Sequence, residues 1–272
     1  MIQTRTLRAI AISILGLLWL GTDDVRASAF TVTPVRVFLG RGTNSALLTL
    51  KNDSAEMLRF QITLKAWNQT ADGEMELSDT NDLVFFPTLM ELKAGEERKV
   101  RIGSAFKSPV ATERSYRIFF EELPPSQVIR DGSDDRQRGA QVRVLTKMGV
   151  PIFIQPATLV LKGDLTAVSV TGRKLQFEIR NNGNSFFSII GAKVVGLSRS
   201  GTTTFERTRD GWYVLAGGRR RFEFEVPADA CESTDHLRIE VSSSLADERG
   251  KGSTLSQDVP FLHGCGSTHG RQ

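Results

Sequence analysis

Residues Ser115–Gln155 read SYRIFFEELPPSQVIRDGSDDRQRGAQVRVLTKMGVPIFIQ. Two strand-like runs flank a polar loop. The first run, Ser115–Leu123, is closed by Pro124-Pro125. The loop Ser126–Gly139 is rich in Asp, Arg, Gly and Ser and has almost nothing to bury. The second run, Ala140–Gln155, is far longer than the usual strand of about five or six residues. A strand that outruns its own domain exposes unpaired N–H and C=O groups together with apolar side chains, which soluble proteins normally avoid. Such an edge is either an aggregation liability or a place where another chain pairs, and we read it as the second.

With a period of two, Val142, Val144, Thr146 and Met148 share one face of this run, and Gln141, Arg143, Leu145 and Lys147 share the other. Leu145 is out of phase, which a bulge would accommodate. Alternation alone is the ordinary strand signature, so these residues equally well cover the core of their own domain.

The N-terminus indicates the compartment. Arg5 and Arg8 precede an apolar stretch, Ala9–Leu20, that is short for a membrane span, and Ala27-Ser28-Ala29 matches a small-x-small cleavage site. Residues 1–29 are therefore expected to be a cleaved signal peptide, with an uncleaved anchor as the competing reading. No later segment is long and apolar enough to insert in a bilayer. Removing residues 1–29, with three Arg and two Asp, lowers the net charge from +4 to +3. That charge is small and dispersed, so nucleic acid is not an expected partner. The one basic knot, Arg219-Arg220-Arg221 after Gly217-Gly218, reads as a solvated turn.

Cysteine usage is sparse: Cys231 and Cys265 are the two in the chain. In an oxidising compartment they are expected to form one structural disulfide. Their spacing offers no close C-x-x-C of the redox-active kind.

Strand follows strand along the chain. Thr31–Leu39, Ala46–Asn52, Leu58–Asn68, Leu83–Phe86, Arg98–Ile102, Tyr116–Leu123 and Ala140–Ile154 are separated by turn signals such as Gly40-Arg41-Gly42, Asp72-Gly73 and Lys93-Ala94-Gly95. A second series comprises Thr158–Lys162, Ala167–Val170, Leu175–Arg180, Ile189–Leu197, Thr203–Thr208, Arg221–Val226, Leu237–Ser242 and Leu255–Leu262. The pattern predicts an all-β chain of two β-sandwich domains, residues 30–156 and 157–272, joined by a short linker and meeting in a cleft.

Catalytic readings find little support. His236, His263 and His269 are scattered without metal-ligand spacing, so no metal or cofactor is expected. Gly250-Lys-Gly-Ser-Thr254 lacks the order of a P-loop, and Gly196-Leu-Ser-Arg-Ser-Gly201 misses the nucleophile elbow by one residue. The expectation is that the protein is not an enzyme.

Thr33-Pro-Val-Arg-Val-Phe38, Trp67-Asn-Gln69, Leu83-Val-Phe-Phe-Pro87, Leu92-Lys-Ala-Gly-Glu96, Glu113-Arg-Ser-Tyr-Arg117, Glu122-Leu-Pro-Pro125, Val150-Pro-Ile-Phe-Ile-Gln-Pro156 and Asn181-Asn-Gly-Asn184 come in an order and spacing that resembles the PapD-like periplasmic pilus chaperones. The Ser-Tyr-Arg and Val-Pro-Ile-Phe forms look more like the archaic, spore-coat-U-associated branch. The resemblance extends over essentially the whole mature chain. It implies two immunoglobulin-like domains set at an angle around a cleft. It also implies a periplasmic location, pilus subunits as clients and an outer-membrane usher as the recipient.

The family's mode of action is donor-strand complementation, in which a chaperone strand fills the groove of a subunit that lacks its last strand. By this resemblance Val142, Val144 and Thr146 are the donor residues. The subunit's C-terminal carboxylate is held by a basic pair, for which Arg36 matches the first position. An ungapped match puts Pro151 where the second, a Lys, is expected; Lys147 is the nearest basic substitute, and Arg117 on the adjacent strand is a further cleft candidate. The exposed edge also allows a homodimer in which two free copies cap one another. The rival reading is a secreted two-domain pilin or adhesin. Such a protein needs an N-terminal donor extension, for which Phe30–Thr33 is short, or an aromatic platform. Trp67, Trp212 and Tyr213 read more easily as core or turn residues.

Overall fold

The computed structural model describes residues 29–106, 109–124, 144–246 and 252–261. Residues 1–28 of the expected signal peptide, Val142, Cys265 and loop 126–139 lie outside the described residues. The described residues contain strands and no helix.

The first sandwich opens with β1 (Phe30–Thr33) and β2 (Val37–Gly40). Thr31–Leu39, expected as one strand, is thus two, because Pro34 interrupts the ladder and the chain crosses between sheets. One sheet has the order β1, β3 (Ser45–Asn52), β8 (Glu97–Ser104), β6 (Leu83–Phe86). The other runs β2, β10 (Lys147–Gln155), β9 (Arg114–Leu123), β4 (Leu58–Gln69), β5 (Met75–Ser78), with β7 (Leu89–Leu92) also paired to β4. The core is filled by alternate residues: Leu48 and Leu50, Phe60 and Ile62, Val100 and Ile102, Ile118 and Phe120, Ile152 and Ile154. Period two puts one face of each strand inward, and burying these side chains contributes about 1.5–3 kcal/mol each.

In the second sandwich, β11 (Gly163–Thr171), β12 (Lys174–Asn181) and β16 (Arg219–Glu225) form one sheet. The other orders β14 (Thr203–Asp210), β13 (Phe187–Leu197), β17 (His236–Ala246) and β18 (Gly252–Pro260), with the short β15 (Tyr213–Val214) on β13. Leu175, Phe177 and Ile179 of β12, which alternate with polar neighbours in the sequence, are all fully buried. Thr158–Lys162 is not a strand. Its backbone is held instead by the turn after β12: the Asn184 N–H donates to the Val160 carbonyl and the Asn182 N–H to the Lys162 carbonyl, both at 2.9 Å.

Arg219–Arg221 is part of β16, not a solvated turn. Arg221 lies 3.1 Å from Glu178 in its own sheet and 3.3 Å from Asp72 of the first sandwich, so the knot ties the two sandwiches together. Cys231 is disulfide-bonded.

Candidate functional site

β9 flanks β10 from Lys147 to Ile154, whereas β2 covers only Ile152–Gln155 on its other side. Lys147–Pro151 therefore keeps an unpaired edge among the described residues. The Glu122 N–H donates to the Thr146 carbonyl at 2.9 Å, which sets the phase of the ladder. By period two, the backbone groups of Met148, Val150, Ile152 and Ile154 point to β9, and those of Lys147, Gly149, Pro151 and Phe153 point to the other edge. Pro151 has no N–H, so its place on this outer phase costs β9 nothing. Just before β10, Val144 is 69 % exposed and Leu145 43 % exposed.

The face of β9 and β10 turned away from the core meets the second sandwich. Phe153 is fully buried there, stacked on Phe186 with ring centroids 4.0 Å apart and near Trp67 and Tyr213 at 6.1 and 5.9 Å. Leu215 completes this small second core. Two polar clasps flank it. The Gln69 side-chain amide donates to the Tyr213 carbonyl at 2.7 Å and accepts from the Leu215 N–H at 2.9 Å. The Glu113 carboxylate accepts from the Ser185 hydroxyl at 2.5 Å and the Phe186 N–H at 2.9 Å. Burial raises the Glu113 pKa, and these two hydrogen bonds oppose the rise. Phe153→Ala is expected to cost about 3–5 kcal/mol, because the stacked rings around it belong to two sandwiches and cannot collapse together. Chemical denaturation of the two proteins measures this loss.

Two arginines stand at this junction. Arg36 lies in the bend just before β2. Its guanidinium donates to the Tyr213 hydroxyl at 2.7 Å and sits 5.4 Å over Phe186 and 5.3 Å over Tyr213. Arg117 pairs in register with Pro151 on one side and Lys65 on the other. It is 8 % exposed, with its guanidinium 4.3 Å from the Trp67 ring and 5.5 Å from the Trp212 ring, and its Nε has no hydrogen-bond partner. Burial pushes its pKa down, countered by the nearby Tyr213 hydroxyl. Among the described residues, no carboxylate pairs with either arginine. Set against ring faces with its Nε unpartnered among the described residues, Arg117 has a guanidinium N–H left to give to an anion.

Residues 29–160 match the family described as pili and flagellar-assembly chaperone, PapD N-terminal domain. The match spans the first sandwich, which is therefore similar to the N-terminal domain of the PapD-like pilus chaperones. No curated protein matches the sequence. Among solved structures, the chain is similar to the CsuC–CsuE chaperone–tip adhesion subunit pre-assembly complex from the archaic Csu pili of Acinetobacter baumannii. The identity is 18%, the match covers 84% of this chain and 97% of that one, and the TM-score is 0.54. The YadV chaperone matches at 11% identity over 85% and 99% of the two chains with a TM-score of 0.56. The Salmonella enterica SafA pilin–SafB chaperone complex matches at 14% over 86% and 98%, with a TM-score of 0.53. Identities this low establish a shared fold across both sandwiches.

The structure brings Arg36 to the Tyr213 hydroxyl and sets Arg117 in register with Pro151, beside Trp67 and Trp212. Lys147 is four residues before Pro151, about 13 Å away along a strand. Its Nζ is 2.7 Å from Glu121 and lies over Phe119. Val144 and Thr146 are exposed and Met148 packs against the core, all in one phase. Trp67, Trp212 and Tyr213, read from the sequence as core or turn residues, are the aromatic walls that position both guanidinium groups. Tyr213 and Trp212 follow Gly211 in a segment with no strand-like run, so no periodicity marks them.

Proposed function

We propose that this protein is a periplasmic chaperone for pilus subunits, receiving a subunit's C-terminal strand along the free edge of β10. Direction follows from charge. β2 runs parallel to β10 and begins at Val37, immediately after Arg36. A strand lying on Lys147–Pro151 ends against Arg36 and Arg117. If it runs parallel to β10, the group it presents there is its carboxylate; if antiparallel, its ammonium. Two guanidinium groups favour the carboxylate, which each can bind through paired N–H donors. The observation that carries this reading is Arg117, a nine-tenths buried cation that has no carboxylate partner among the described residues and stands in register with Pro151, where the unpaired edge ends.

Val142, Val144 and Thr146 then enter the subunit's groove, while main-chain hydrogen bonds along the edge supply affinity that tolerates different subunit sequences. Residues 1–29 direct export, 30–156 form the donor domain and 157–272 form the other wall of the cleft. An outer-membrane usher takes the loaded complex, and the archaic type of pilus is the closest setting by motif. Lys147 flanks the edge as a secondary contact.

Export of the full chain together with a pilus subunit from the same bacterium tests the proposal. The expected result is a soluble one-to-one complex isolated from the periplasm and no soluble subunit without the chaperone. Glycan binding by the chain alone, with no effect on subunit yield, would favour the adhesin reading and sink this one.

A further inference from the structure

Along the outer phase of β10, the residues that face a partner strand are Lys147, Gly149, Pro151 and Phe153, and Pro151 alone of these has no N–H to give. In a parallel ladder each such residue donates its N–H to one partner carbonyl and accepts at its own carbonyl from the N–H two residues further along. The start of β2 follows from this. Its register, with Ile152 opposite Val37, places the Pro151 carbonyl and the Phe153 N–H against Val37. The missing Pro151 N–H would have met the carbonyl of Val35. Pairing therefore begins at Val37, and Val35 and Arg36 bend away from the sheet, which lets Arg36 reach Tyr213.

We infer that Pro151 determines which residue of the bound strand is its last, by withholding the backbone donor that would let pairing run on. This rests on the reading that a subunit's C-terminal strand lies parallel to β10. Upstream, a strand residue gives its carbonyl to the Gly149 N–H, and the residue two places later gives its N–H to the Gly149 carbonyl. The carbonyl of that later residue would need the N–H of residue 151. Within a continuing chain it is left without a donor, and the space beyond is filled by β2. As the chain terminus it is a carboxylate, which takes its donors from Arg36 and Arg117 instead.

Gly149 supports the same placement. A Cβ there would stand 2.8 Å from Cε1 of Phe119 and 3.6 Å from a terminal nitrogen of Arg117. The bare glycine lets Phe119 close down and places the Arg117 guanidinium over the backbone unit that receives the terminal residue. Arg36 and Arg117 supply the charge, while Pro151 is a positioning residue that supplies the stop.

The experiment measures binding of acetyl-(Thr-Val)5 peptides to the full mature chain by calorimetry, with a free carboxylate or a C-terminal amide. The wild type should bind the carboxylate at least tenfold more tightly. Pro151→Ala restores the N–H and should bring the amide to within threefold of the carboxylate, by a gain for the amide. A second arm needs no variant. N-methylation of the last residue should reduce wild-type binding more than tenfold, and N-methylation of the penultimate residue should leave it within twofold. Wild-type discrimination unchanged in Pro151→Ala, or equal sensitivity to both N-methyl positions, overturns the register stop while leaving the carboxylate anchor standing. Equal wild-type binding of carboxylate and amide overturns the anchor itself, and the inference with it.

Discussion

Arg117→Met should lower the affinity for a subunit by about 30-fold to several thousandfold while holding or raising the thermal midpoint of the free chaperone. The first half rests on removing one partner of a shielded, charge-assisted contact, which typically costs about 2–5 kcal/mol. The second half rests on what Arg117 lacks in the free protein. It is buried beside Trp67 and Trp212, with an unpartnered Nε and, among the described residues, no carboxylate paired to it. An uncompensated buried charge is a net cost to the fold, and methionine fills a similar length without it. A purely structural arginine would behave in the opposite way, losing stability first and binding only through it. Arg36→Lys provides the companion measurement. A point ammonium keeps the charge but not the paired N–H geometry, so binding should fall between wild type and Arg36→Ala. Surface-plasmon affinities against one subunit, beside calorimetric midpoints, decide the matter. A destabilised Arg117→Met that still binds at wild-type strength would remove Arg117 from the anchor.

Val144→Asp is expected to abolish protection of the subunit with almost no effect on the chaperone's own fold. Val144 is 69 % exposed, and exposed substitutions of this kind change stability by about 0.5 kcal/mol or less. In the proposed complex the same side chain would enter an apolar groove, where an unpaired carboxylate costs several kcal/mol, equivalent to at least a hundredfold in affinity. The yield of soluble subunit on co-export reads this out directly. Wild-type yield from the Asp variant would mean that Val144 faces water in the complex as well.

Much of the fold was legible because a strand with one wet face repeats every two residues. Leu175, Phe177 and Ile179 alternate with Gln176, Glu178 and Arg180, and all three are fully buried. The readings that failed concern elements with too few residues for a period, or with partners distant in the chain. β5 and β7 have four residues each and β15 two, so no alternation identifies them. Thr158–Lys162 has the composition of a strand, but its backbone groups are taken by an asparagine turn. Arg219–Arg221 reads as a charged turn because nothing local announces that Asp72, well over a hundred residues earlier, lies beside Arg221.

The site divides along the same line. The sequence by itself determined an all-β chain, a local pattern of side-chain type against a fixed backbone period; the overlong strand expected from Ala140 begins, among the described residues, only at Lys147, with Val144 and Thr146 just before it, and Arg36 as a lead cation was an expectation from family motifs. Only the tertiary structure decided that β2 stops at Val37, that Pro151 and Arg117 stand side by side, and that Trp67 and Trp212 lie beside Arg117. Register between strands and packing between sandwiches are set by which distant surfaces exclude water together. That free energy belongs to pairs of residues such as Phe153 with Phe186 and Trp67 with Tyr213, and no single stretch of chain contains both members.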